Sequence, residues 1–225
     1  VKKYSYIPNV FRSPLAALNN NFQKTRKKYR QLFALKLFSL TVKKKIIIGS
    51  SGTQFKGWVT TDRAVLDLLI EDNWASFFRP NSLDAILAEH VWEHLKPGDA
   101  ILAAGHCFKY LKPGGYLRIA VPDGYHPDSK YIDDVKPGGS GAGAGDHRVL
   151  YNYRTLNNVF ESVGFEVTLR EYFNENGEFQ KSEWKAEDGM IRRSLKFDGR
   201  NADGRPHYTS IILDARKPIN MRSFN

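Results

Sequence analysis

The chain of 225 residues has a single cysteine, Cys107, so an internal disulfide framework is excluded and a reducing compartment fits. No stretch approaches the roughly 18 to 20 consecutive apolar residues needed to span a bilayer. The order of charged, apolar and then small residues that marks a secretory leader is also missing, so a cytoplasmic location is expected. No unit of 20 to 50 residues repeats, which argues against a solenoid. The first 45 residues contain no Asp or Glu, yet they hold 12 Lys and Arg. The other 180 residues carry 22 basic and 24 acidic side chains, so the net charge of +10 belongs to one end of the chain. With 41% hydrophobic and 13% aromatic residues the remainder has ample material for one buried core, which rules out wholesale disorder.

In the basic segment Leu15, Leu18, Phe22, Tyr29, Leu32 and Phe33 recur at three- and four-residue steps among lysines. That pattern predicts an amphipathic helix over residues 15–40, broken between Asn19 and Asn21. Residues 1–44 are read as a basic arm that lies on an anionic membrane surface, packs its apolar face over the domain, or positions RNA. Residues 45–216 are read as one domain and 217–225 as a tail.

Within that domain, apolar runs at residues 46–48, 58–61, 82–88, 116–121, 165–172 and 207–215 predict strands. Helices are expected at 99–111 and 153–163, giving an α/β sheet that is mostly parallel. The glycine-rich residues 136–148 predict a flexible lid, and residues 174–205 a polar, charged insert.

In such sheets ligands sit beyond the carboxyl ends of the strands. Four ends carry polar or glycine residues: Gly49 to Gly52, Asp62, Glu89 to His94, and Asp123 to His126. A glycine-serine turn offers amide donors, and an acid ending the next strand accepts ribose hydroxyls. The spacing from Gly49 to Asp62 is 13 residues, shorter than the roughly 20 of a dinucleotide fingerprint.

Ile46-Ile47-Ile48-Gly49-Ser50-Ser51-Gly52 followed by Gly57-Trp58-Val59-Thr60-Thr61-Asp62 resembles the first motif of class I S-adenosylmethionine-dependent methyltransferases. Ser82 to Leu95 is similar to that family's fourth strand and its loop, and Leu111 to Asp123 to its fifth. The resemblance implies a Rossmann-like, seven-stranded sheet with an antiparallel last strand and helices on both faces. It implies S-adenosylmethionine as cofactor, with Gly49, Ser50, Ser51 and Gly52 near its amino-acid part and Asp62 on its ribose. It further implies Glu71-Asp72-Asn73-Trp74 along the adenine and Glu89-His90 on the methionine side. Ser51 stands where the family has its second glycine, so the loop either shifts to Gly52 or binds less well.

If the methyl acceptor is a hydroxyl, a base must take its proton, and the candidates are His147 first, then His126, with Asp123. Tyr151 and Tyr153 are candidate acceptor contacts. Arg192 and Arg193 would suit an acidic or sugar-nucleotide acceptor. A small molecule or carbohydrate is the expected acceptor; the signatures of base-directed N- and C5-methylases are missing, so nucleic acid is not the leading one. His90-Val91-Trp92-Glu93-His94 also matches the H-x-x-E-H pattern of inverted zinc peptidases, which requires one long helix. Here it follows a strand and meets Pro97-Gly98, so no metal site is expected. A zinc hydrolase and a non-catalytic binding module are the alternatives to the methyltransferase.

Overall fold

A computed structural model describes residues 14–38, 43–50 and 52–220, with side chains from residue 21 onward. Helix α1 (Pro14–Phe38) is continuous, with no break at residues 19–21. Asn21 is exposed, and an asparagine in a helix costs only tenths of a kcal/mol. The helix ends in the core: Leu35 and Phe38 are buried, while Phe22, Tyr29 and Phe33 face outward.

The sheet is built from β1 (Lys45–Ile48), β2 (Val59–Thr60), β3 (Leu83–Glu89), β4 (Leu111–Pro122), β5 (Glu166–Phe173), β6 (Phe179–Lys181) and β7 (Ser210–Arg216), in the order β2-β1-β3-β4-β7-β5-β6. β2, β1, β3 and β4 run parallel, and β7 is antiparallel to both of its neighbours, β4 and β5. The last strand is therefore antiparallel, as expected, but it is inserted between β4 and β5 rather than lying at the edge. That edge is the hairpin strand β6, which at three residues is too short to leave a periodic trace.

Parallel strands buried on both faces need apolar residues at successive positions. Ile46, Ile48, Ile86, Ala88, Leu117 and Ile119 project into a large cluster. That cluster is covered by α3 (Pro97–Tyr110), α5 (Tyr153–Glu161) and the segment around Trp74 in the short α2 (Glu71–Ala75). Ile47, Ala85, Leu87, Ala120 and Ile212 project the other way, against Trp58, Ile191 and Trp184. No α-helical residue belongs to this second cluster; the charged segment 182–205 covers it in place of a helical layer. It is pinned by Arg118, which donates to the backbone oxygens of Lys185 and Gly189 while gripping Asp214 at 2.6 and 2.9 Å. With β2 on one side of β1 and β3 on the other, the strand order reverses between β1 and β3, and their carboxyl ends open into a cavity.

Candidate active site

β1 stops at Gly49, whose φ of +61° a side chain seldom tolerates, and an added Cβ would lie 2.7 Å from Val91 Cγ2. The turn is thus held against the loop that follows β3. Ser50 is buried, and its amide donates to the carbonyl of Thr61, tying the turn to the end of β2. Ser51, expected in place of the family's second glycine, lies outside the described residues.

β3 ends at Glu89, and His90 then takes a left-handed conformation with φ +56°, rare for a residue with a side chain. This twist turns the chain into a single 3₁₀ turn, Trp92–His94. The H-x-x-E-H segment is therefore not one long helix, and the scaffold of an inverted zinc peptidase is not formed. Instead His90 bridges sideways, Nε2 to Ser210 Oγ at 3.0 Å and Nδ1 to Glu93 Oε1 at 2.9 Å.

Glu93 is wholly buried, and neither of its carboxylate oxygens receives a well-directed hydrogen bond. Burial disfavours its charge, but the His90 and His94 imidazoles outweigh that and hold the carboxyl below its usual range. His94 Nδ1 is also without a well-directed bond, although Asp146 Oδ1 lies 3.1 Å away. His147 completes the group: its ring meets that of His94 edge to face at 4.8 Å, and its Nε2 is 4.0 Å from Glu93 Oε1. His147 Nδ1 lies 2.7 Å from the carbonyl of Val135. A carbonyl only accepts, so Nδ1 carries the hydrogen, and in the neutral ring Nε2 presents a lone pair.

The glycine-rich stretch places His147. It does not hang loose: Gly139, Ser140 and Gly141 donate to the carbonyls of Lys136, Asp133 and Asp134 at the end of α4 (Ser129–Val135). A Cβ at Gly141 would sit 2.6 Å from the Asp134 carbonyl oxygen, so the glycines permit tight docking rather than slack. The expected flexible lid is a packed wall. It closes a cavity of about 210 Å³ bounded by Gly49, Ser50, Glu89, His90, Glu93, His94 and His147. Arg192, Arg193 and Tyr208 line the opposite side. Glu89 anchors that side, accepting from the Arg193 amide at 2.8 Å and pairing with Arg192 at 3.5 Å. A second cavity of about 540 Å³ adjoins the first at Gly49, His90 and His94 and runs along Arg63, Leu66 and residues 67–69.

Several expected site residues lie elsewhere. Asp123 is buried, with its two oxygens accepting the amides of Tyr125 and Phe173, and burial pushes its carboxyl up to about 6. His126 stacks on Tyr131 at 3.9 Å, with Nε2 on the carbonyl of Pro206 and Nδ1 accepting the amide of Asp128. Both are fully committed to holding the loop beyond β4, and neither lines the cavity. Tyr151 is core and Tyr153 bonds Glu175, so they are not acceptor contacts in this arrangement. Trp74 is buried against Tyr110, Asn73 caps the amide of Asp67, and Asp72 faces out; the groove wall is residues 67–69 instead. The sequence reading missed Glu93 and His94 as a pair with His147, because 53 residues separate His94 from His147 and only the glycine loop brings them together.

A family model described as a methyltransferase domain matches residues 19–170. The chain belongs to that methyltransferase family. No curated protein matches it. Among solved structures this methyltransferase is similar to an S-adenosylmethionine-dependent methyltransferase from Archaeoglobus fulgidus, at 14% identity over 91% of this chain and all of that one, with a TM-score of 0.46. It is also similar to a possible histamine N-methyltransferase from Thermotoga maritima, at 13% identity over 89% and 96% of the two chains and a TM-score of 0.47. The family and the sheet order make the protein a class I methyltransferase whose cofactor is S-adenosylmethionine.

The residues present fit that cofactor. The two joined cavities meet at the Gly49 turn, where small residues and backbone amides leave room for its amino-acid part. Asp62, the expected ribose acceptor, is reached by Ser50 Oγ at 3.1 Å and, from α1, by Gln31 at 2.8 Å and Lys27 at 2.6 Å. Burial works to raise its pKa, but Lys27 and Gln31 prevail and keep it low. Asp62 lines neither of the two cavities, and ribose hydroxyls would reach it by sharing or displacing these two α1 side chains.

Proposed function

We propose that this methyltransferase modifies a hydroxyl oxygen of a small molecule or carbohydrate, with the 210 Å³ cavity as the acceptor site. The cofactor supplies a methyl carbon on a sulfonium, whose sulfur keeps the electron pair when the acceptor oxygen takes the carbon. The Gly49 turn and the backbone at Glu89-His90 fix the donor end, so that most of the rate comes from alignment. His147 Nε2 is the base that takes the hydroxyl proton, and Glu93 stabilises the imidazolium that results. The observation that carries this reading is the buried His147 ring on the cavity wall, its Nδ1 held by the carbonyl of Val135 and its Nε2 4.0 Å from Glu93. Arg192 and Arg193 favour an acceptor that also bears a carboxylate or phosphate.

The test is transfer of labelled methyl from S-adenosylmethionine into pooled polar extracts, with the product methyl located by NMR. A methyl on oxygen is expected; one on nitrogen or carbon overturns the reading, and calorimetry showing no cofactor binding overturns it more deeply. We further read the outer face of α1 as a peripheral contact with anionic membrane, because Lys24, Arg26 and Lys28 surround exposed Phe22 and Tyr29. None of the helices among the described residues is long and apolar enough to cross a membrane, so this contact would be lateral. Co-sedimentation with anionic but not neutral vesicles checks it.

A further inference from the structure

We propose that Glu93, His94 and His147 bind one divalent transition-metal ion, with zinc favoured, on the acceptor side of the cavity. One ligand atom from each residue lies within 4.8 Å of the others. Around an ion with bonds of roughly 2.1 Å, ligand atoms sit about 3.4 Å apart, so small side-chain rotations close the site. Two imidazoles and one carboxylate form a set that zinc uses in catalytic sites, with a further position left open.

Three independent observations support the proposal. Glu93 is wholly buried, and apart from His90 Nδ1 at 2.9 Å from Oε1 its oxygens lack a well-directed donor, so a cation beside the carboxylate would be stabilising. His147 points Nε2 toward that carboxylate from 4.0 Å, beyond direct hydrogen-bond reach, while Nδ1 is held by the carbonyl of Val135. In the neutral ring this arrangement leaves the Nε2 lone pair for an ion standing between the two atoms. An outer-shell carbonyl on the remote nitrogen is also how proteins fix the tautomer and direction of a ligating histidine. Finally, Asp146 lies 3.1 Å from His94 Nδ1 and orients that ring from outside the group. The site shares His94 with the zinc-peptidase pattern but not its geometry: His90 is turned away onto Ser210, and the third ligand comes from the glycine loop.

The catalytic consequence rests on the reading of this cavity as the acceptor site; ion binding itself does not. With an ion present, His147 is a ligand rather than a base, and the acceptor hydroxyl is acidified by the ion. The O–H proton then passes to water, and the oxygen takes the methyl carbon as the C–S bond breaks.

The experiment is calorimetric titration of the chelator-treated, full-length protein with zinc, with magnesium as the comparison. The same protein is titrated with cobalt and its visible ligand-field absorption followed. One zinc per chain is expected, with magnesium much weaker. His94→Ala and His147→Ala should each weaken zinc by at least ~10–100-fold and abolish the cobalt bands. His207→Ala, which removes an exposed histidine paired with Asp203, should leave both unchanged. Circular dichroism of each variant separates lost ligands from lost fold. Should an alanine variant not fold, His147→Gln replaces it, and the same loss is required. Absence of saturable zinc binding in the folded parent, or binding that survives both histidine changes, overturns the proposal. If zinc does not bind while His147→Ala still abolishes methylation, the metal site is wrong and the histidine-base reading stands. If zinc binds but no oxygen is methylated, the reverse holds.

Discussion

The loops beyond β3 and β4 each bring a buried acid and a histidine to the same end of the sheet, yet they do opposite things with them. Beyond β4, Asp123 spends its two oxygens on the amides of Tyr125 and Phe173, and His126 spends its two nitrogens on Asp128 and Pro206. Beyond β3, Glu93 and His94 leave polar atoms without well-directed partners, and together with His147 from the glycine stretch these residues line a cavity. A satisfied buried cluster stabilises a fold; an unsatisfied one stores free energy that a ligand can release. The proposed chemistry therefore falls to the cluster around Glu93 and not to Asp123 and His126, although both pair an acid with histidine.

Substitutions can break the comparison at several levels. The largest effect is expected for Glu93→Gln, which removes the buried charge while keeping its shape: turnover should fall on the order of 100-fold or more. Its melting temperature near neutral pH should fall, because the fold favours the ionised carboxylate beside His90 and His94 and the amide cannot replace that pairing. Thermal unfolding and single-turnover rates measured together check both halves. Next, Asp62→Ala should weaken cofactor binding by about 10–100-fold in calorimetry, since hydrogen bonds to a charged acceptor contribute about 1.5–3 kcal/mol.

Smaller is Asp123→Asn, which forces an amide NH₂ against one of two backbone donors and should cost about 1–3 kcal/mol in denaturant titration. The pH dependence has a definite sign. With the folded carboxyl titrating at about 6 and the ordinary value 3.8, the native state holds more protons between them. The contribution of Asp123 to stability therefore falls as pH rises from 3.8 to 6 and is level above, and the Asn variant should lose this slope. Smallest is His126→Phe, which keeps the stack on Tyr131 but drops two hydrogen bonds; about 1–2 kcal/mol of stability should go, with turnover per folded molecule unchanged.

Much of this was legible in the sequence for physical reasons. Runs such as 46–48 and 82–88 are apolar at consecutive positions because both faces of the sheet are covered, and that leaves a direct mark. Asp62 and the Gly49 turn follow those runs at once, so their place at strand ends could be read off. What resisted reading depends on contacts distant in sequence. The covering of the second face by residues 182–205 rests on Arg118 gripping carbonyls 67 and 71 residues away. The choice of Asp123 and His126 as chemical groups failed because residue type does not reveal whether a backbone amide already holds the side chain. Residues 71–74, expected along the adenine, lie in a five-residue helix whose Trp74 is core, and residues 67–69 line the second cavity.

The central claim is that methyl transfer depends on the cluster with open polar atoms and not on the satisfied one. The most direct measurement compares His147→Ala with His126→Phe in single turnover at saturating cofactor, using the acceptor found by labelling. The account predicts a loss of about 10²–10⁴-fold for His147→Ala and a rate within about threefold of the parent for His126→Phe. Equal rates in the two variants, or the larger loss at His126, would contradict it.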